Sequence, residues 1–474
     1  MQLDTLQTRF VDELLHGSTH MILTGKAGTG KSTALVSGVK AAQAAGMDVL
    51  VMAPTAMAAS IHRDAGLESG TIHHALKWNP SKEPLPHKLL SVCGSKTDWS
   101  AAPDQNRVLI VDEASMVGLW LFEILARDLG DPGRPFDGRR LVLVGDWAQL
   151  PPVVGNDEQQ IAKVMPELRN FGPPDGCVLF HRLFTARPPV AVVLEETHRA
   201  NSEWFAKLNE VRDCNAVKTL GQMGMRFATE PASRTAENDA VHLCFRRSAA
   251  HQRNAELLAR LPGKEVLLQL RDGEMKLKEG CKVIVTSNRA GGSYINGSRA
   301  VFSGMDNDGR VCLDDGIPIK MLADGNWGYA GSAGYKGDEE SGRRKAHRLL
   351  SQWGDVLEDE AVKWLEAALR DSARAAKLGD GKIQFLPYWP ILPGYAITVH
   401  KAQGATLTEA IIEEDVFWST APARLPYVSL SRVADEAHVS MGGLSPFAAK
   451  VRPDNNYPAM FSRIGKWCGE KHNG

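Results

Sequence analysis

Eight consecutive residues, GKAGTGKS from Gly25 to Ser32, carry the chemistry for holding a polyphosphate. Glycines at Gly25, Gly28 and Gly30 let the backbone curl so that successive N–H groups point at one anion. Lys31 has the reach for the β- and γ-phosphates, and the Ser32 hydroxyl suits Mg²⁺. Ala27, Thr29 and Thr33 complete the candidate nucleotide-binding set. The apolar run Met21–Leu23 reads as a strand before the loop, and Ser32–Ala45 as a helix whose N-terminus favours negative charge. A merely flexible glycine loop would not require that order, so a bound nucleoside triphosphate is expected.

Two further segments offer hydrolytic groups. VLIVDEAS (Val108–Ser115) is an apolar strand ending in two acids: Asp112 to hold Mg²⁺ through water, Glu113 to polarise the attacking water. In GDWAQLPPV (Gly145–Val153), the Gln149 amide is placed to contact a γ-phosphate or its water, although a polar turn closed by Pro151 and Pro152 is the plainer reading of those residues alone. Trp147 either stacks on a base or packs against those prolines. Arg199 in LEETHRA and Arg432 in YVSLSRV read as guanidinium fingers from a second domain; each in isolation would read as a surface ion pair. ITVHKAQGATL (Ile397–Leu407) sets Thr398, His400, Lys401 and Gln403 before Gly404. No nucleophile pattern accompanies His400, so phosphate-backbone contact suits the segment better than general-base work.

These groups need two α/β units to position them. Strands are expected at Met21–Leu23, Val49–Ala53, Val108–Val111 and Leu141–Val144, each ending where an open parallel sheet places its ligands. Asn79–Arg107, rich in Pro, Lys and Ser, reads as an inserted subdomain. A second α/β pattern begins near Val190, with strands at Val241–Phe245, Val283–Val285, Ala410–Ile412 and Tyr427–Leu430. Tyr294–Leu313 reads as strand–turn–strand, with turn signals at Asn296-Gly297 and Asn307-Asp308-Gly309. Lys336–Leu378 reads as charged and helical.

At 474 residues the chain has room for roughly two to four domains. The net charge of −1 gives no global basic field, so any nucleic-acid contact needs a local groove. Seven cysteines without a C-x-x-C pair argue against structural zinc and for a reducing compartment. The first residues do not read as a signal peptide and no apolar run approaches membrane-spanning length, so a cytoplasmic protein without a membrane partner is expected.

Taken in order, the motifs resemble the superfamily-one helicases of the RecD/Dda branch, group B, with a layout most similar to the Dda type. The resemblance rests on Gln7, GKAGTGKS, APTAMAAS (Ala53–Ser60), TIHHALK (Thr71–Lys77), VDEASMV, GDWAQLPPV, THRA, the turn at Asn296, TVHKAQG and YVSLSR. It implies two RecA-like parallel-sheet motor domains: residues 1–78 with 107–188, and 189–300 with 389–474. It implies a pin insertion at 79–106, with Trp99 or Leu90 meeting the fork, and an SH3-like insertion with helices at 301–388. Gln7 would read adenine, so ATP and Mg²⁺ are the expected cofactors, with Gln403 and Gly404 near the nucleotide. Pro54, Thr55, Thr71 and His73 would line the DNA path on the first domain, and Asn288, Thr398 and His400 on the second. The activity implied is ATP-dependent 5′→3′ movement on single-stranded DNA with duplex unwinding, by a monomer acting on single-stranded and forked DNA alongside replication or recombination proteins. A translocase that displaces proteins and unwinds weakly, or a RecD-like motor subunit of a larger complex, are the alternatives.

Overall fold

A computed structural model describes residues 3–78, 88, 97–129, 133–152, 177–198, 201–229, 240–270, 273–288, 290–291, 293–322 and 388–468. Its larger sheet holds β1 (Met21–Gly25), β2 (Asp48–Ala53), β3 (Ser69–Thr71), β4 (Asp104–Val111), β5 (Arg139–Gly145) and β6 (Val190–Leu194). The order is β3-β2-β4-β5-β1-β6, with every pairing parallel. Parallel sheets are buried on both faces, which is why β1 is buried at every position and β5 at all but its first, without alternation. Helices α1 (Thr5–His16) and α2 (Lys31–Ala44) cover one face around Phe10, Leu14, Leu35 and Val39. The opposite face packs on Phe122, Phe136, Trp147 and Phe184. Because β4, β5 and β1 are neighbours, the loops after Val111, Gly145 and Gly25 converge at one edge of the sheet.

Beyond β6, short strands β7 (Lys218–Thr219) and β8 (Ala228–Thr229) lead to β9 (Val241–Cys244), an inner strand of the second sheet. A hairpin of β10 (Glu265–Leu270) and β11 (Gly273–Lys278) follows, then β12 (Lys282–Val285), β13 (Arg299–Met305) and β14 (Val311–Leu313). The chain returns through β15 (Ile391–Pro393), β16 (Ala396–Thr398), β17 (Ala410–Glu413), β18 (Val439–Gly442) and β19 (Lys450–Val451). The second sheet runs β16-β9-β17-β18-β8, again parallel. A separate antiparallel sheet, β14-β13-β12-β15, shares its core with the hairpin residues Leu268, Leu270 and Leu277. The architecture is therefore α/β, two RecA-like lobes with parallel sheets, as the motif order implies.

Four expectations need correction. Val190–Leu194 is not the start of the second domain but the edge of the first sheet, paired along its whole length with β1. Val283–Val285 lies in the small antiparallel sheet, which thus begins well before residue 301. Tyr427–Leu430 belongs to a helix, Leu425–Leu430, with Pro426 in its first turn, where the missing N–H costs no intrahelical bond. The last helix, Tyr457–Trp467, leaves the second lobe and buries Met460, Ile464 and Trp467 in the core of the first. Most of the pin insertion, with Leu90, and the stretch 323–387, with Lys336–Leu378, lie outside the described residues. Within the described part, Asp104–Arg107 is already strand β4.

Trp99 does not stand free to meet a fork. Its ring takes the guanidinium of Arg182 at 4.5 Å and that of Arg127 at 5.4 Å, and meets His181 edge-on at 4.9 Å. Beneath it, Glu123 on helix Leu119–Asp128 is buried and receives Arg127 Nε, Arg182 Nη2 and His181 Nε2, each at 2.6 Å. His181 Nδ1 accepts the Leu183 N–H at 3.2 Å, so Nε2 carries the ring proton toward the carboxylate. Burial alone would raise Glu123, but His181, Arg182 and Arg127 outweigh it and hold the carboxyl far below its ordinary range. The root of the insertion is thus fastened to the first lobe by a paired, buried charge cluster.

Candidate nucleotide site and nucleic-acid cleft

The phosphate loop sits between the end of β1 and the start of α2. Gly28 and Gly30 have φ of 84° and 76°, the left-handed region open to glycine. A Cβ at Gly30 would run into the amide nitrogen of Gln7. Lys31 Nζ donates to the Gly25 and Lys26 carbonyls at 2.8 and 2.9 Å, folding the side chain over its own loop. Burial lowers its pKa, against Asp146, Glu113 and Asp112, which favour the charged form. Buried Thr29 donates its hydroxyl to the Lys26 carbonyl at 2.9 Å. Ser32 is exposed and Thr33 half-buried at the head of α2.

Gln7 is buried and fully engaged. Its Oε1 accepts the Asp4 N–H at 3.1 Å in a capping box, and its Nε2 lies 3.3 Å from the Thr29 carbonyl and 3.1 Å from His198 Nε2. His198 itself contacts Asp4 Oδ2 at 2.8 Å and donates its backbone N–H to Gly28. The THRA segment therefore starts on the first lobe, following β6. Arg199 lies outside the described residues.

At the end of β4, Asp112 Oδ2 lies 2.7 Å from His62 Nε2 while Oδ1 accepts the Glu113 N–H at 2.8 Å. Glu113 adopts φ 49° and ψ 38°, a left-handed conformation costing a non-glycine residue about 1–3 kcal/mol. Burial first, then the carboxylates of Asp112 and Asp146, push Glu113 up to about 7, against Arg432 and Lys31. That crowding is surplus negative charge of the kind a divalent cation relieves. Ser32 and Asp112 form a sparse set of hard oxygens, which fits Mg²⁺, an ion that keeps waters and completes its shell with substrate phosphates. Among the described residues no group of three or more His, Cys, Asp or Glu forms a protein-only cage.

The second lobe closes on this edge. The Tyr427 hydroxyl donates to Asp146 Oδ2 at 2.7 Å and accepts the Ala27 N–H at 3.0 Å, so one buried atom joins the phosphate loop, the loop after β5 and helix Leu425–Leu430. Asp146 also receives Arg212 Nη2 at 3.2 Å and the Ala148 N–H at 3.1 Å. Its burial is outweighed by Arg212, Lys31 and Tyr427, which keep it below the usual carboxylate range. Gln149 and Gln403, both buried, face each other from opposite lobes, Gln403 Nε2 lying 3.5 Å from Gln149 Oε1. Gly404 follows with φ 82°. Arg432 is buried against its own lobe, donating to the Val428 carbonyl at 3.0 Å and the Ala405 carbonyl at 3.3 Å, yet close enough to lower Glu113. Trp147 is 1% exposed within the first lobe's core, which excludes base stacking in this arrangement.

The expected strand-binding residues divide into two groups. Thr55 and Thr71 cap short helices on the first lobe, each hydroxyl accepting a backbone N–H at 3.2 Å, and Pro54 lies half-buried beside them. His73 stacks on Trp78 at 5.1 Å, and burial lowers its pKa. On the second lobe, Thr398 and His400 line a cleft of about 1030 Å³ with Arg247, Lys276, Asn296 and Lys401. Burial, then Arg247, lowers His400, which leaves its ring a neutral partner more readily than a cation. Asn288 does not line that cleft; its Oδ1 accepts the Asn296 N–H at 2.8 Å and so shapes the turn that does. Tyr427, Asp146 and Arg212 were not singled out by sequence, although the first two stand inside motifs that were. His62 had no signal at all.

Two parallel-sheet lobes meeting at one phosphate loop define a two-lobed P-loop fold. A model of the AAA domain matches residues 2–163. The chain is similar to the ATP-dependent DNA helicase PIF7 of Trypanosoma brucei brucei, 24% identical over 98% of this chain and 48% of the relative. It is also similar to the ATP-dependent DNA helicase PIF1 of Emericella nidulans, 25% identical over 91% of this chain and 59% of that protein. The chain thus spans about half the length of these curated relatives. The crystal structure of Pif1 helicase from Bacteroides in complex with ADP-AlF3 and ssDNA superimposes with a TM-score of 0.63, covering 98% of both chains at 20% identity. The fold is that of these helicases, and the two relatives bear the names PIF7 and PIF1.

Proposed function

We propose that the chain is an ATP-driven motor of superfamily one, group B, which moves 5′→3′ along single-stranded DNA and separates duplex ahead of it. The observation carrying this reading is the Tyr427 hydroxyl, shared between the phosphate loop and Asp146 while its own lobe presents a cleft lined by Arg247, Lys276 and Lys401. A phosphate loop gripped by the lobe that holds the strand couples nucleotide state to strand grip.

In this mechanism Gly25–Ser32 cradle the phosphates, Lys31 neutralises them, and Gln7 stands at the base side. Mg²⁺, held by Ser32 and Asp112, would supply charge neutralisation of the phosphates. Glu113 accepts the proton of the attacking water, for which a pKa near neutrality is well matched. Gln149 and Gln403 respond to the loss of the γ-phosphate across the lobe boundary. Arg432, and Arg199 as a second finger, turn toward the transferring group on closure. Pro54, Thr55, Thr71 and His73 hold one stretch of strand, and Thr398, His400 and the turn shaped by Asn288 hold the next. Within group B the Dda-like layout, a cytoplasmic location and action as a monomer belong to the same proposal.

The test is unwinding of forks that carry only a 5′ or only a 3′ single-stranded tail. The 5′-tailed fork is expected to open with ATP and Mg²⁺, and Lys31→Ala to bind DNA without opening it. Opening confined to the 3′-tailed fork would overturn the polarity. DNA-stimulated ATP hydrolysis surviving in Lys31→Ala would overturn the assignment of the site.

A further inference from the structure

We propose that His62 is a positioning residue that couples strand binding to the ATP site, by holding Asp112 from the far end of the helix whose first turn meets the strand. The proposal rests on the strand-binding role given above to Pro54 and Thr55.

Helix α3 (Ala56–Asp64) is a single rigid rod between two places that must communicate. Its N-cap is Thr55, whose Oγ1 accepts the Ala58 N–H at 3.2 Å. Seven residues on, at about 1.5 Å of rise each, the rod reaches roughly 10 Å to His62 in its last turn. There the imidazole is 0% exposed and its Nε2 lies 2.7 Å from Asp112 Oδ2. The first turn also touches the second lobe: a Cβ at Gly297 would sit 3.4 Å from Met57 Cε, and the neighbouring Asn296 lines the cationic cleft. A strand lying across Thr55 and Asn296 therefore bears on one end of α3, and Asp112 is fastened to the other.

The chemistry of the ring argues for a functional contact over simple packing. An imidazole wholly removed from water needs partners for both nitrogens, and the His62 Nδ1 has none among the described residues. A leucine would fill this interior position without that penalty. What the histidine supplies in return is one N–H to a carboxylate whose other oxygen is fixed by the Glu113 backbone. Two donors on two oxygens set the plane of the carboxylate, and each oxygen keeps a lone pair for a metal-bound water. A shift of α3 along its axis would rotate that plane and move Glu113 with it.

The experiment compares wild type with His62→Leu, which removes the N–H, and His62→Gln, whose amide can donate again. Two quantities are read: the Mg²⁺ concentration that half-saturates binding of a fluorescent ATP analogue, and the ratio of ATPase rates with and without oligo-dT. Thermal unfolding confirms that each variant is folded. His62→Leu is expected to raise the Mg²⁺ midpoint about fivefold and cut the oligo-dT stimulation about tenfold through kcat, with the DNA concentration for half-maximal stimulation little changed. His62→Gln is expected to restore most of both. Folded His62→Leu with wild-type midpoint and stimulation would overturn the proposal. A raised midpoint with intact stimulation would also overturn the coupling, leaving only a local contact. Wild type that shows no stimulation by any oligonucleotide would instead sink the motor reading, and the Mg²⁺ midpoint alone would then judge the contact to Asp112.

Discussion

Tyr427 joins the two lobes through one oxygen while its ring packs in the second lobe's core. Its hydroxyl is a donor to a buried carboxylate and an acceptor from a loop amide, and burial with Asp146 nearby raises its pKa well above the ordinary phenol, so it stays protonated. Tyr427→Phe keeps the ring and strips both bonds. Asp146 retains Arg212 and the Ala148 N–H, so the loss is expected near the cost of one under-satisfied buried group, about 1–3 kcal/mol, in denaturant unfolding. The KM for ATP should rise in parallel because the Ala27 amide loses its fixed partner. An unchanged KM would show that the contact is packing detail.

At the scale of elements, the charge cluster under Trp99 makes a separate prediction. Breaking a buried pair by removing one partner costs about 3–5 kcal/mol. Glu123→Gln removes the buried carboxylate that Arg127, Arg182 and His181 share and is expected to lose stability of up to that order at pH 7 by chemical unfolding. Glu123 is depressed in the folded state, so its contribution is complete above the ordinary carboxylate range, declines as pH falls through that range and is gone below the folded-state value. The gap between wild type and Glu123→Gln should therefore stay constant from neutral to mildly acidic pH. A gap that closes as pH falls from neutral to mildly acidic would contradict the assignment.

The elements that sequence made legible are those whose apolar runs end in motif residues, such as β1, β4, β5 and β17. Others were missed for physical reasons. Val190–Leu194 has the composition of any buried strand, and nothing local says which of two sheets receives it; the pairing with β1 is a long-range choice. Leu425–Leu430 is apolar and short, so its period could not separate helix from strand, although Pro426 was a usable sign. Asp272-Gly273 carries a local hairpin signal between β10 and β11. The site divides similarly. Lys31, Asp112, Glu113 and Gln149 follow from motif spacing, whereas the contacts of Tyr427 and His62 join segments far apart in sequence and only the fold reveals them.

For the whole molecule, charge placement matters more than its total. A net charge of −1 makes a cleft lined by Arg247, Lys276 and Lys401 the relevant field for a polyanion. Binding of oligo-dT should weaken steeply with salt, and each phosphate contact contributes about 0.7 to the log–log slope. Arg247→Gln with Lys401→Gln should flatten that slope by about 1.4, measured by fluorescence anisotropy across salt concentrations. A slope that does not change would place the strand elsewhere.

The final helix, Tyr457–Trp467, has a consequence for the kind of motion available. By returning to the first lobe's core, with Tyr457 packed against both cores, it gives the lobes a second covalent crossing besides the one after β6. Bodies joined by one tether can swivel about three axes. Bodies joined by two separated tethers are confined to turning about the line between them, as a door turns on two pins. The helix therefore favours opening and closing about one axis over free swivelling of the lobes.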